Sequence, residues 1–157
     1  MTKIQRLTKE RMSKGDVVDM SDLRKLRGGE RKVQRTILVI EDDETIRAAL
    51  KRVFEGEGYR VLAAADGTQL SEVLDDAPVD LIMLDVGLPW INGFELAEMM
   101  KAHDDLSEIP LIFLSARTSE ADVKKGFEVG ADDYIKKPFD IEKVKRTVNT
   151  LIQLAHE

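Results

Sequence analysis

The sequence predicts an α/β domain of five βα units wrapped around a parallel sheet. Two observations carry that expectation. From about Thr36 onward, short apolar runs alternate with segments of helical period. Four of the runs also stop at a polar residue: Ile37–Ile40 at Glu41-Asp42-Asp43, Leu81–Leu84 at Asp85, Ile109–Leu114 at Ser115, and Tyr134-Ile135 at Lys136-Lys137-Pro138. If the runs are parallel neighbours, their endings converge on one rim of one sheet.

Each element has its own signal. The first strand is expected over Thr36–Ile40, and the first helix from Glu44 to about Glu55. Ile46, Leu50, Val53 and Phe54 share a face of that helix, Asp43 caps its start, and Gly56 or Gly58 stops it. A second strand, Arg60–Ala64, leads through Asp66-Gly67 into a helix bearing Leu70, Val73 and Leu74. The third strand is Asp80–Leu84. Its loop ends at a turn, Asn92-Gly93, where a helix with Leu96, Met99 and Met100 begins. The fourth strand is Leu111–Leu114. Ser119 caps the following helix, which turns Val123 and Phe127 inward and ends at Gly130. After a short fifth strand, Asp133–Ile135, Asp140 caps a helix with Ile141, Val144, Val148, Leu151 and Ile152 on one stripe. Five units are expected to fill 36–157, with no room in that span for a second domain.

Composition narrows the function classes. The hydrophobic fraction of 43% and charged fraction of 34% are those of a soluble globular chain. The absence of cysteine excludes disulfides, thiolate metal sites and cysteine nucleophiles, and fits a cytoplasmic location. No apolar run approaches the ~18 residues of a membrane span, and no apolar segment follows the basic N-terminus as a secretory signal requires. The net charge of −6 is unevenly spread: residues 1–35 hold 11 Lys/Arg against 5 Asp/Glu, the remainder 13 against 25. A basic arm precedes an acidic domain, so the domain itself is not expected to bind DNA.

Rim chemistry follows from the residue types. In an open α/β sheet the ligand site lies outside the carboxyl ends of the strands, which gathers Glu41, Asp42, Asp85, Ser115 and Lys137. Carboxylates crowded at ~4 Å repel by roughly 4 kcal/mol per pair at an effective dielectric near 20. A divalent cation and Lys137 are the two positive charges available to offset this. Oxygen ligands without histidine or cysteine select a hard cation, magnesium before zinc, with manganese the other ion admitted.

These residues resemble a known family. Ile37–Asp43, Leu84-Asp85-Val86-Gly87-Leu88-Pro89 with Asn92-Gly93, Leu114-Ser115-Ala116 and Tyr134–Phe139 are similar to the motifs of the receiver domain of bacterial two-component response regulators. The resemblance covers essentially all of 36–157. It implies a flavodoxin-like (βα)5 three-layer sandwich with sheet order 2-1-3-4-5, of the single-domain chemotaxis-regulator kind with an N-terminal extension. It further implies that Asp85 accepts a phosphoryl group from a sensor histidine kinase or a histidine phosphotransfer protein. Glu41, Asp42, Asp85 and the Gly87 backbone carbonyl would bind magnesium. Ser115 and Lys137 would contact the phosphoryl oxygens, and Tyr134 would be the aromatic switch coupled to Ser115. The Lys137–Pro138 bond is expected to be cis. The positions that modulate phosphoryl lifetime in the family are Gly87 and Arg117 here.

The expected function is therefore a phosphorylation-controlled switch, not a turnover enzyme, signalling to a downstream protein through about 123–157, with homodimerisation among the outcomes. The competing class is a magnesium-dependent aspartyl-phosphate phosphatase or mutase. Such enzymes carry a second carboxylate two residues after the nucleophile, where this chain has Gly87. A flavin or dinucleotide site would need a Gly- or Ser/Thr-rich first loop, and the acidic 41–44 stretch repels phosphate instead. Trp90 reads as loop packing, and His103 and His156 as solvated surface residues. In the arm, residues 1–34, Asp19 or Ser21 would cap a short helix near Met20–Arg27. The arm admits three readings: a tail, a docking or self-association segment, or a contact with nucleic acid or anionic membrane.

Overall fold

The computed structural model describes residues 33–76 and 78–157. The helix expected near Met20–Arg27 lies outside them. Arg35–Glu157 forms one unit. Its elements are β1 (Thr36–Ile40), α1 (Glu44–Gly56), β2 (Arg60–Ala64), α2 (Gly67–Asp76), β3 (Leu81–Leu84), α3 (Gly93–Ala102), β4 (Leu111–Ser115), α4 (Glu120–Glu128), β5 (Asp133–Lys136) and α5 (Ile141–Ala155). The strands form one parallel sheet in the order β2-β1-β3-β4-β5.

Strand alternation divides the core into two layers. Leu38, Ile40, Ile82, Leu84, Leu111, Phe113 and Tyr134 face one side, with Leu70, Phe94, Leu96 and Met100 of α2 and α3 packed on them. Ile37, Val39, Leu81, Met83, Ile112, Leu114 and Ile135 face the other, covered by Leu50 and Phe54 of α1 and Val144, Val148 and Ile152 of α5. Buried on both faces, the central strands β1, β3 and β4 read in sequence as near-continuous apolar runs. That is why the runs were visible and the alternation was not.

Side-chain caps set the helix starts. Asp43 accepts from the Ile46 amide, Asn92 from Phe94, Ser119 from Asp122 and Asp140 from Glu142. Asn92 is thus a cap as well as a turn residue. Gly58 and Gly130 take positive φ where α1 and α4 end.

One inward assignment fails. Phe127 is 47% exposed. Gly126 holds the inner position instead: a Cβ there would stand 2.7 Å from the Tyr134 ring and 3.2 Å from Phe113. The helix approaches the sheet so closely at Gly126 that the buried line runs through Val123, Gly126 and Val129, and Phe127 is rotated one residue off it. Met99, counted with the apolar residues of α3, is likewise 62% exposed.

Candidate functional site

Sheet register levels the polar endings. Ile40 pairs with Leu84, Leu84 with Phe113, and Ser115 with Lys136. The residues just beyond, Glu41, Asp85 and Lys137, therefore leave the sheet at nearly one height beside Ser115. Ladder bonding continues past the strand ends: the Glu41 amide donates to Ala64 O (3.1 Å), Asp85 to Ile40 O (3.1 Å) and Lys137 to Ser115 O (2.9 Å). The site's backbone is thus an extension of the sheet, not a free loop.

Carboxylate oxygens of Glu41, Asp42 and Asp85 lie within 4.8 Å of one another. Glu41 and Asp85 are buried, whereas Asp42 faces solvent. Lys137 Nζ stands 2.7 Å from Glu41 Oε2 and 3.4 Å from Asp85 Oδ2. The lysine is thus nearer the glutamate than the aspartate. Burial, with the charge of Asp85 adding to it, pushes the Glu41 carboxyl above its ordinary range, although Lys137 opposes this. Burial alone would lower the Lys137 ammonium; the hydrogen bond and charge of Glu41 and the charge of Asp85 outweigh it and hold it above its usual value. One cation among three carboxylates leaves an excess of negative charge. An oxygen-only set with that excess fits a hard divalent ion.

Around this cluster, the Gly87 amide donates to Asp85 Oδ1 (3.2 Å). Ser115 Oγ, fully buried, accepts from the Arg117 amide (3.1 Å). Tyr134 is buried against Phe113, and its hydroxyl donates to the Arg117 carbonyl. Serine and tyrosine thereby hold the same residue from two sides. The Lys137–Pro138 peptide is cis. The Arg117 side chain turns to Asp122 (3.1 Å), with its guanidinium 5.8 Å from the centre of the Phe94 ring.

Residues 37–149 match the family model described as "Response regulator receiver domain". The chain belongs to this family. Among curated relatives, the aerobic respiration control protein ArcA of Escherichia coli K12 is 40% identical over 104 residues, which are 66% of this chain and 42% of ArcA. The transcriptional regulatory protein YvrH of Bacillus subtilis is 44% identical over 106 residues, 67% of this chain and 44% of YvrH. The chain spans about half the length of the curated relatives it matches. Among solved structures, a response regulator of Chloroflexus aurantiacus has a TM-score of 0.71 at 30% identity, covering 77% of this chain and 99% of its own. The receiver domain of a Pseudomonas aeruginosa sensor histidine kinase, with a magnesium ion coordinated in its active-site cleft, has a TM-score of 0.68 at 26% identity, covering 77% and 99%. The chain is a receiver domain of two-component signalling, with the flavodoxin-like sheet order expected of it.

Outside the rim, Trp90 packs as expected: its indole N–H donates to Ala65 O (3.1 Å), and the ring lies against Gly67. His103 is exposed. His156 is exposed too but lies 3.2 Å from Asp80 Oδ1, a partner that sequence reasoning missed. Arg47 and Gly126 were also missed. Gly126 carried a usable signal, since an isolated glycine inside a helical pattern often marks a close approach. No helix among the described residues is long and apolar enough to cross a membrane.

Proposed function

We propose that residues 35–157 form a phosphorylation-dependent switch in which Asp85 is the phosphoryl acceptor, preceded by an N-terminal extension, 1–34. The observation that carries this reading is the cluster of Glu41, Asp42 and Asp85 oxygens within 4.8 Å, with Lys137 3.4 Å from Asp85. A carboxylate oxygen of Asp85 attacks phosphorus, the phosphorus–nitrogen bond of a histidine phosphoramidate breaks, and the leaving imidazole takes a proton. The donor is a sensor histidine kinase or a histidine phosphotransfer protein. Glu41, Asp42, Asp85 and the Gly87 carbonyl would hold magnesium, with manganese an alternative, a reading supported by the donor set and the magnesium-bound relative. When bound there, the ion would neutralise the crowded carboxylates and a phosphoryl oxygen.

Lys137 is placed to pair with the phosphoryl group, and Ser115 to donate its hydroxyl to it. Engaging the phosphoryl group takes Ser115 away from the Arg117 amide. The loop that also holds the Tyr134 hydroxyl then shifts, and the change passes to α4. The output surface is α4, β5 and α5, about 123–157, where Phe127 and Leu154 are exposed and offer apolar contact to a protein target or a second copy. Chemistry stays within self-catalysed phosphorylation and dephosphorylation. No second carboxylate stands at Gly87 to support phosphatase turnover.

The test is incubation with acetyl phosphate and magnesium. One phosphoryl group per chain, labile to hydroxylamine as an acyl phosphate is, is the expected result; a modification stable to that treatment would refute the reading. Asp42→Asn is expected to weaken magnesium binding at least roughly tenfold, about 1.4 kcal/mol, in a calorimetric titration. Unchanged affinity would remove Asp42 from the ligand set. Arg117→Ala is expected to speed loss of the phosphoryl group by about threefold or more, since it frees the loop and opens the rim to water. An unchanged decay rate contradicts that role.

A further inference from the structure

Arg47, on the first turn of α1, sends its hydrogen bonds to the main chain of the acidic segment. Its Nη1 donates to the carbonyl oxygens of both Glu41 (2.9 Å) and Asp42 (3.2 Å). Its own amide donates to the Asp43 carbonyl (2.9 Å). Three consecutive carbonyls, one from each acidic residue, thus accept from one half-buried arginine. The remaining anchors lie close by: the Glu41 amide on Ala64 O, the Asp43 amide on Glu41 Oε1 (3.2 Å), and Asp43 Oδ1 under the Ile46 amide (3.0 Å).

We propose that Arg47 is a positioning residue for the divalent cation: by clamping the 41 and 42 carbonyls it fixes the peptide planes that aim the Glu41 and Asp42 carboxylates. The inference rests on the cation site proposed above. A chain leaving a strand normally surrenders its carbonyls to water, and its side chains then sample several directions. A guanidinium presents two N–H groups from one nitrogen in a fixed plane, so holding both carbonyls fixes their mutual orientation. Magnesium demands near-ideal octahedral geometry, so a ligand pair that must first be ordered binds it more weakly.

Arg47 differs from Lys137 in the sign of its effect. Lys137 binds the carboxylates themselves and competes with a cation for Glu41, whereas Arg47 holds their backbone and leaves the carboxylate oxygens free.

The experiment is an equilibrium titration of the full chain with magnesium alone, using wild type, Arg47→Ala, Arg47→Lys and Asp42→Asn. Arg47→Ala is expected to raise Kd roughly tenfold, and Arg47→Lys, whose ammonium reaches the carbonyls without the planar fork, by about threefold. Phosphorylation by acetyl phosphate gives the second readout. The magnesium concentration for half-maximal rate rises in Arg47→Ala, while the rate at saturating magnesium stays near wild type. Kd values within twofold of wild type in both arginine variants, or a lower saturating rate at unchanged Kd, overturn the proposal. If Arg47→Ala does not fold, the lysine variant and Arg47→Gln carry the same comparison. If Asp42→Asn binds magnesium like wild type, Asp42 leaves the ligand set and this inference, which needs both carboxylates as ligands, fails with it.

Discussion

Asp85→Asn is expected to abolish phosphoryl incorporation from both a phosphohistidine donor and acetyl phosphate, to below the detection limit of an intact-mass assay. An amide oxygen is a poor nucleophile and cannot end as an acyl phosphate, so positioning alone rescues nothing. The fold should survive. Asparagine matches aspartate in shape and can still accept the Gly87 amide, while one negative charge leaves a rim where Lys137 sits nearer Glu41 than Asp85. Stability in cation-free buffer is therefore expected to stay within about 1 kcal/mol of wild type or to rise. Losing phosphorylation while keeping stability separates a chemical role from a structural one. Incorporation by the variant at the wild-type rate would move the acceptor elsewhere, with Asp42 next in line.

The second large effect lies at Gly93. A Cβ at this position would stand 2.4 Å from the Asp85 carbonyl oxygen and 2.6 Å from Val86 Cα. Both obstacles are backbone, and the Gly93 amide is itself bonded to Val86 O at 2.9 Å, so neither side yields cheaply. Gly93→Ala is expected to cost about 2–3 kcal/mol in urea unfolding, read as a lower midpoint at unchanged slope. Because the obstructing carbonyl belongs to Asp85, phosphorylation should slow along with the loss of stability. A midpoint shift worth under about 0.5 kcal/mol would mean that the loop gives way freely.

The central strands β1, β3 and β4 were legible because each is buried along its whole length on both faces. A run such as Ile37–Ile40 has no polar interruption, and polar residues bound it on either side. The boundaries of β1 and β2 fall where the runs do. At β3 the strand starts at Leu81, one residue later than expected, because Asp80 spends its carboxylate on the Thr36 amide (2.7 Å). The rim was legible for a related reason: a parallel sheet in register brings all strand endings to one height, so chemistry spread over almost a hundred residues could be grouped from order alone.

What stayed hidden depended on backbone. Helical periodicity counts large apolar side chains, so it assigned Phe127 to the interior and could not see that Gly126 was the contact. The part played by Gly93 is a clearance between main chains, which in sequence looks like any Asn-Gly turn. Arg47 was silent because its partners are carbonyl oxygens, which every residue possesses. The resemblance named the residues proposed to touch the phosphoryl group, and the geometry added those packed and bonded against them.

Trp90 is the protein's single tryptophan, and it hangs on the loop between Asp85 and Gly93 with its indole tied to the neighbouring β2–α2 connection. Light absorbed at the red edge of the protein spectrum and re-emitted thus originates at one address, five residues from Asp85. The molecule carries its own optical probe, and rearrangements of the rim can be timed in the unlabelled protein without choosing where to attach a dye.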